Sequence, residues 1–315
     1  MAKPLTTSKL IDSVKQRAML PTNDKTFSED DFIEILNEEM DTGIVPKVIK
    51  QHEEYYTVFE DIPTESGKTR YRIPYRAIGN KLRDIAYVDS AGNISELSRI
   101  SLEELSEYQS NNVSDIDEVF YLESNEVVFP RISAGTGTLR FYFHLRPNSL
   151  VTEDRVGRIT GINRTTGLVT LANFPSDFSN LPLMDFVSYQ SPNRIEAYDI
   201  QPVSVNVNNR EITFNVDDLP SELKVGDYIC EQQETIIPQI PVEMHTMLAQ
   251  KAAIYCLEAL NDSEGLANAQ RKMERMEEDI DVLINNRVEG APKKVFARQG
   301  TLQDSVNKTS YRKRY

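Results

Sequence analysis

The apolar residues of this chain change period twice, and that change fixes the architecture more tightly than any single motif. Up to about residue 56 they recur at helical spacing. Leu10, Ile11, Val14 and Ala18 mark a short first helix stopped by Pro21. Ser28 followed by Glu29, Asp30 and Asp31 is an N-cap with acids in the first turn. Behind it Phe32, Ile33, Leu36 and Met40 keep the spacing as far as Gly43. Pro46 then sits where a third helix starts, continued by Val48, Ile49, His52, Tyr55 and Tyr56.

From residue 57 the period falls to two. Strand-like pieces cover 71–79, 82–89 and 94–100, and Ser90-Ala91-Gly92-Asn93 joins the last two as a hairpin. SLEELSEY at 101–108 reads as one or two helical turns. The aromatic alternations at 118–132 and 138–146 predict a second hairpin around SAGTG. Between 156 and 235 lies an internal repeat: 167–178 aligns with 212–223 at an offset of 45 residues. Asp185-Phe186-Val187 and Asp227-Tyr228-Ile229 follow the two copies. Each copy alone exposes an apolar face, so a paired barrel or sandwich is expected.

After Pro238 and Pro241 the helical period returns. Met244, Met247, Leu248, Ala252, Tyr255, Cys256 and Leu260 form one stripe. Asn261-Asp262-Ser263 interrupts it and caps a second helix carrying Leu266, Ala269, Met273, Met276, Ile280 and Leu283. Leu266, Met273, Met276, Ile280 and Leu283 are therefore the expected helix-packing seam. The fold class is α+β: a helical bundle from the N- and C-terminal helices, an inserted antiparallel β barrel or sandwich, and an extended tail. The divisions are 1–56, 57–235, 236–291 and 292–315.

Charge is as unevenly distributed as hydrophobicity. The chain of 315 residues carries −14, yet residues 292–315 hold seven basic residues against Asp304 alone, a net +6, so the body carries −20. Such a tail cannot bury a core of its own and is built for contact with an acidic protein neighbour or nucleic acid. Its expected partner-binding residues are Lys293, Lys294, Phe296, Arg298, Tyr311 and Arg312. A body this acidic is unsuited to gripping phosphate over its whole surface.

No run approaches 18 apolar residues, and MAKPLTTSKL lacks a signal-peptide core, so a reducing cytoplasm without membrane insertion is the expected place of synthesis. Cys230 and Cys256 are too few for a disulfide framework or a zinc site and read as buried apolar residues. His52, His144 and His245 lie in three different elements, with His245 beside Met244 and Met247 in a core or capping role. No HExxH, CxxC, GxSxG or Walker-type loop occurs. No metal, cofactor or catalytic residue is expected, and the reading is of a non-enzyme. Two alternatives stand beside it: a structural protein binding nucleic acid through the basic tail, or a carboxylate-based polysaccharide hydrolase, whose paired acids sequence alone does not place. The repeat supplies Asp177/Glu222 and Asp185/Asp227 only at turn positions.

Three runs in order, SEDDFIEILNEEMDTGIVPKVIKQHEEYY, YRIPYRAIGNKLRDIAYVDSAGNISEL and IPVEMHTMLAQKAAIYCLEALNDSEGLANAQRKMERMEEDIDVLINNRVEGAPKKV, resemble the head-to-tail connector (adaptor or neck ring) proteins of tailed bacteriophages, especially the ring proteins of crAss-like phages. The resemblance implies a helical adaptor core in a homo-oligomeric ring, usually of twelve copies, beneath the portal protein and in contact with other neck or tail proteins. It implies a virion location, with DNA passing through the lumen without specific binding.

Overall fold

The computed structural model describes residues 3–21, 26–105, 119–130, 137–189 and 195–283. Helices α1 (Thr7–Arg17) and α2 (Glu29–Glu39) begin the chain, and α3 (Val45–Gln51) follows. At the start of α2 the expected cap is a full capping box. The Asp31 N–H donates to the Ser28 hydroxyl (3.2 Å) and the Ser28 N–H donates back to the Asp31 carboxylate (2.7 Å). Gly43 does not end this helix. The chain passes through one π turn, Met40–Ile44, and runs straight into α3, where Pro46 occupies the first turn. The expected continuation through Tyr55 and Tyr56 is replaced by turn and strand: α3 stops at Gln51.

Near the other end lie α4 (His245–Ala259) and α5 (Ser263–Leu283), the latter capped by Asp262, whose carboxylate accepts from the Gly265 N–H. Helix α4 is the hub, with α1, α2 and α5 each packed on it. One core therefore joins residues about 240 positions apart: Leu10, Val14, Phe32, Leu36 and Met40 meet Met247, Leu248, Ala252 and Cys256. Each large side chain so buried contributes about 1.5–3 kcal/mol. Met273 and Ile280 are buried in this core, with Leu266 and Met276 packed partly buried against it. The side chain of Leu283 lies outside the described residues. Tyr255 and Leu260, placed in the α4 stripe by sequence, are instead largely exposed. Cys230 and Cys256 are buried free thiols.

The intervening region forms several sheets, none closed into a barrel among the described residues. In the first, β1 (Thr57–Pro63), β8 (Thr138–Leu145), β3 (Ala77–Val88) and β4 (Ile94–Glu96) lie in that order. The hairpin across residues 89–93 is present, with Val88 opposite Ile94. The hairpin expected around SAGTG is not: β6 (Val119–Glu123) turns at Ser124-Asn125 into β7 (Glu126–Val128), while β8 pairs with β1 and β3. β2 (Arg70–Arg72) and β5 (Ser98–Arg99) flank the β6–β7 hairpin. The run 71–79, read as one strand, is thus split between β2 and the start of β3. Most of 101–108 lies outside the described residues.

The second sheet contains the repeat, in the order β13 (Ile195–Ile200), β12 (Met184–Val187), β16 (Tyr228–Glu231), β10 (Gly157–Asn163), β11 (Leu168–Leu171), β15 (Glu211–Thr213), β14 (Ser204–Asn206). β9 (Ser149–Leu150) and β17 (Glu234–Thr235) make a short parallel pair beside it. The two hairpins, β10–β11 and β14–β15, superpose at an offset of 43, not 45. Asn163 and Asn206 play the same part in both turns, their side chains accepting from Thr166 N and Asn209 N. Gly167 and Arg210 share the left-handed backbone, at φ 71° and 56°. The offset of 45 holds only for Pro175-Ser176-Asp177-Phe178 against Pro220-Ser221-Glu222-Leu223. The copies meet about a local two-fold passing between Val169 and Ile212, which pair with each other. The bonds are reciprocal: Leu171 N donates to Arg210 O, and Phe214 N donates to Gly167 O, both at 2.9 Å.

Two outcomes are expected. A Cβ at Gly167 would lie 2.0 Å from Phe214 O on a backbone that already has positive φ. Gly167→Ala therefore destabilises the protein by about 1–3 kcal/mol, read by denaturant unfolding. The buried His245 imidazole accepts from Leu5 N through Nδ1, and burial depresses its pKa to about 4. The neutral ring is the folded form, so its contribution to stability is present above pH 6.5 and is lost as pH falls towards 4, by up to about 3 kcal/mol. His245→Gln should show a smaller loss of melting temperature than the parent chain between pH 7 and pH 4.5.

Candidate functional site

The helical core and the two large sheets meet around a single buried guanidinium. Arg76 follows Pro74-Tyr75 at the entry to β3, and it is 2% exposed. Its Nη2 donates to Asp185 Oδ2 at 2.9 Å and to Asn148 Oδ1 at 2.8 Å. Asp185, on β12, is fully buried and takes three further donors: Asn148 Nδ2, the Gln233 N–H and the Asp199 N–H. Asp199 closes on the other side, with Oδ1 at 3.8 Å from Arg76 Nη1. Its backbone is left-handed, at φ 57°. Tyr198 lies beneath the guanidinium, 5.4 Å from ring centroid to Cζ. Burial, followed by Glu60, pushes its phenol up to about 12.

Asn148 extends the network to the helical core. Its N–H donates to Gln239 Oε1 at 2.7 Å, and the Gln239 carbonyl accepts from the Tyr56 hydroxyl at 3.0 Å. Because a backbone N–H can only donate, the Gln239 amide is oriented: its oxygen faces Asn148 and its Nε2 faces the other way. That Nε2 is buried without a hydrogen-bond partner, as are Arg76 Nε and Nη1.

Gln239 lines a groove of about 720 Å³. Its walls are Tyr55, Val58 and Phe59 on one side and Ile195 and Tyr198 on the other, with the charged side chains of Arg146 and Glu196 also lining it. The walls are edge strands. β1 pairs only with β8 and β13 only with β12, so among the described sheets each has one side of its backbone without a ladder partner. Glu60 lies between Val58 and Ile62 on β1, its backbone paired with Phe141 of β8. Burial and then the charge of Asp199 raise its pKa.

Of the repeat-related acids expected at turns, Glu222 lies in one and Asp227 closes the 224–227 turn, whereas Asp177 lies in the first turn of a 3-10 helix and Asp185 is a strand residue of β12. Asp227 is buried like Asp185, and each accepts from the backbone just beyond the other copy's strand: Asp185 from Gln233 N after β16, Asp227 from Tyr189 N after β12. A second acidic group gathers at Arg155, whose Nη2 lies 2.5 Å from Glu234 and about 4 Å from Glu231 and Asp177. Burial pushes Glu234 up to about 7 against the opposing pull of Arg155. Among the described residues no group of three or more His, Cys, Asp and Glu could hold a metal ion. No helix among them is long and apolar enough to cross a membrane.

Of the residues singled out from sequence, the seam Leu266, Met273, Met276 and Ile280 of α5 is brought into the helical core. Lys293, Lys294, Phe296, Arg298, Tyr311 and Arg312 lie outside the described residues. Sequence reasoning passed over Arg76, Asn148, Asp199 and Gln239. The available signal was an arginine in an otherwise apolar and aromatic run, Ile73 to Ile78, and an acid inside the apolar MDFV. Searched against protein families the chain matches none, and no curated protein sequence matches it.

Removing one partner of a buried ion pair leaves an uncompensated charge. Asp185→Ala should therefore cost about 3–5 kcal/mol. The double variant Arg76→Met with Asp185→Leu should lose less than Asp185→Ala alone, a comparison made by chemical denaturation at pH 7.

Proposed function

We propose that this protein is a structural component of a tailed-phage virion, a head-to-tail connector whose copies form a ring that joins portal to tail and lets DNA through. One observation carries the reading. The first 50 residues and residues 240–283 close into a single helical core around α4, and such a helical core is what the resemblance to adaptor proteins implies; the β region carried between them is larger than the core of minimal adaptors.

Charge supports it. Fixed cations lining a channel would hold phosphates by counterion release, whereas a body of net −20 lets DNA move past it. A side-by-side contact between unlike surfaces closes into a ring only when the rotation per copy is fixed, and a rigid core meets that need. The tail then acts as a tie: Lys293, Lys294, Arg298 and Arg312 pair with acids, and Phe296 and Tyr311 fill apolar pockets, on the portal or on an adjacent subunit. Ordering such a segment is offset only when its docking surface is present.

Electron microscopy of the purified full-length protein, or of virion necks, should show closed rings. Monomers at every concentration and salt tested, together with necks lacking this chain, would overturn the proposal. A chain ending at Glu289 should fold yet fail to join portal-bearing heads. The reading of the tail as a nucleic-acid-binding arm instead expects normal joining with weakened, salt-sensitive DNA binding.

A further inference from the structure

The helical core carries two charged rows of opposite sign on its outer surface. On α5, Asn268, Arg271, Lys272 and Arg275 fall at helical spacing and are exposed, on a helix whose other side buries Ala269, Met273 and Ile280. Arg271 is laid along its own helix, its Nη2 donating to Asn268 Oδ1 at 2.7 Å. One turn beyond either end the same face carries exposed Glu264 and Asp279, so the cationic stretch is short. On α2, exposed Asp30, Glu34 and Glu38 surround half-buried Ile33 in an open depression of about 520 Å³, on the opposite side of the helix from buried Phe32 and Leu36. Asp41, at the end of that depression, already has the charge of Arg146 near it. Two ion pairs of the core, Lys47 with Glu277 and Lys251 with Glu39, draw on neither row.

The rows face different ways. Gln250 of α4 donates to Ala269 O on α5, while Lys251, about 100° further round α4, pairs with Glu39 on α2. Each row lies on the side of its helix away from α4, so within one copy the two point apart. Beside Lys272 stands Met19, 91% exposed and held in the left-handed backbone at φ 53°, a conformation that favours glycine. We infer that the α5 row and Met19 of one copy dock on the α2 row of the next. Arg271, Lys272 and Arg275 pair with Asp30, Glu34 and Glu38, and Met19 covers Ile33. The spacings agree, since one turn, about 6 Å, separates Glu34 from Glu38 and Arg271 from Arg275. A contact between unlike surfaces repeats from copy to copy, as a ring requires. Nucleic acid fits the α5 row less well: three cations framed by Glu264 and Asp279, on a body of net −20, make a short track for a phosphate backbone. The inference rests on the reading of this protein as self-assembling and names the surfaces that meet.

Charge reversal in the full-length chain tests this, with self-association read by sedimentation velocity and rings by electron microscopy. Glu34→Lys with Glu38→Lys, and separately Arg271→Glu with Arg275→Glu, should each weaken self-association at least about tenfold, because like charges are then brought face to face. The chain carrying all four reversals should recover it, and so should an equimolar mixture of the two doubly reversed chains. Met19→Asp should weaken it as well. If the reversals lower the melting temperature, Glu34→Gln with Glu38→Gln and a salt titration read the same contact, association falling as salt rises. Reversed chains that assemble like the parent would overturn the inference and leave the connector reading standing. So would failure of both the four-fold chain and the mixture to recover assembly. Loss confined to the α5 reversal, with DNA binding lost alongside, would give that row to nucleic acid instead. Open oligomers with the same charge dependence would uphold the contact and count against ring closure alone. A parent chain that stays monomeric at every protein and salt concentration would overturn the contact together with the ring.

Discussion

The contact between Arg76 and Asp185 is the joint on which the other parts depend. Neither ion could be taken out of water singly, since the desolvation of each is worth several kcal/mol against folding. The pair is retained by surrounding Asp185 with donors from four directions, each from a different stretch of chain. The guanidinium comes from the entry to the first sheet and the carboxylate from the second. Asn148, between them, hands the network to Gln239 and so to the helical core. A joint of this kind is specific in a way that apolar packing is not, because a shift of one residue in any of the three parts leaves a buried charge without its partner.

The local two-fold of the repeat shows a second level of the same economy. Two hairpins of similar sequence pair edge to edge at Val169 and Ile212, and their acids clasp each other's strand ends. The symmetry is then broken where the rest of the molecule attaches. β10 pairs with β16, but on the other side it is β13, not β14, that lies along β12. That substitution places Tyr198 and Asp199 beside Arg76. The departure from symmetry is therefore what builds the groove.

Much of this was legible in the sequence, and the limits have physical causes. Helical spacing at both ends, the Ser28 cap and the packing seam on α5 are local patterns, and local patterns survive in a linear reading. Strand pairing is not local: residues 138–146 alternate as clearly as any strand, yet nothing in the alternation says that their partners are 57–63 and 77–88 and not the adjacent 126–128. Gly43 looked like a stop because glycine usually ends a helix, but its place in a π turn close to the Lys251 side chain keeps the helix running. The repeat was visible at an offset of 45 because Pro-Ser-acid is the more conspicuous string. The hairpins themselves register at 43, so that Val169, not Gly167, is the counterpart of Ile212. The tail was conspicuous for its charge, whereas Arg76 was not, since a single arginine among apolar residues looks like any strand position that faces solvent.

The hub position of α4 also sets an order of events in time. Helices α1 to α3 leave the ribosome with the apolar faces of Leu10, Phe32, Leu36 and Val48 finished, but, Leu150 apart, the surface that covers them begins at Ile240. At about 5–20 residues per second, the intervening stretch of roughly 190 residues takes about 10–40 s to synthesise. Throughout that interval the β region can fold on its own cores while the N-terminal helices wait as an uncovered, sticky end. The helical core thereby stays unfinished until α4 and α5 have been synthesised. Premature association of half-made chains would go through those waiting helices, and a chaperone that shields them during synthesis would act on this stretch of the chain above all others.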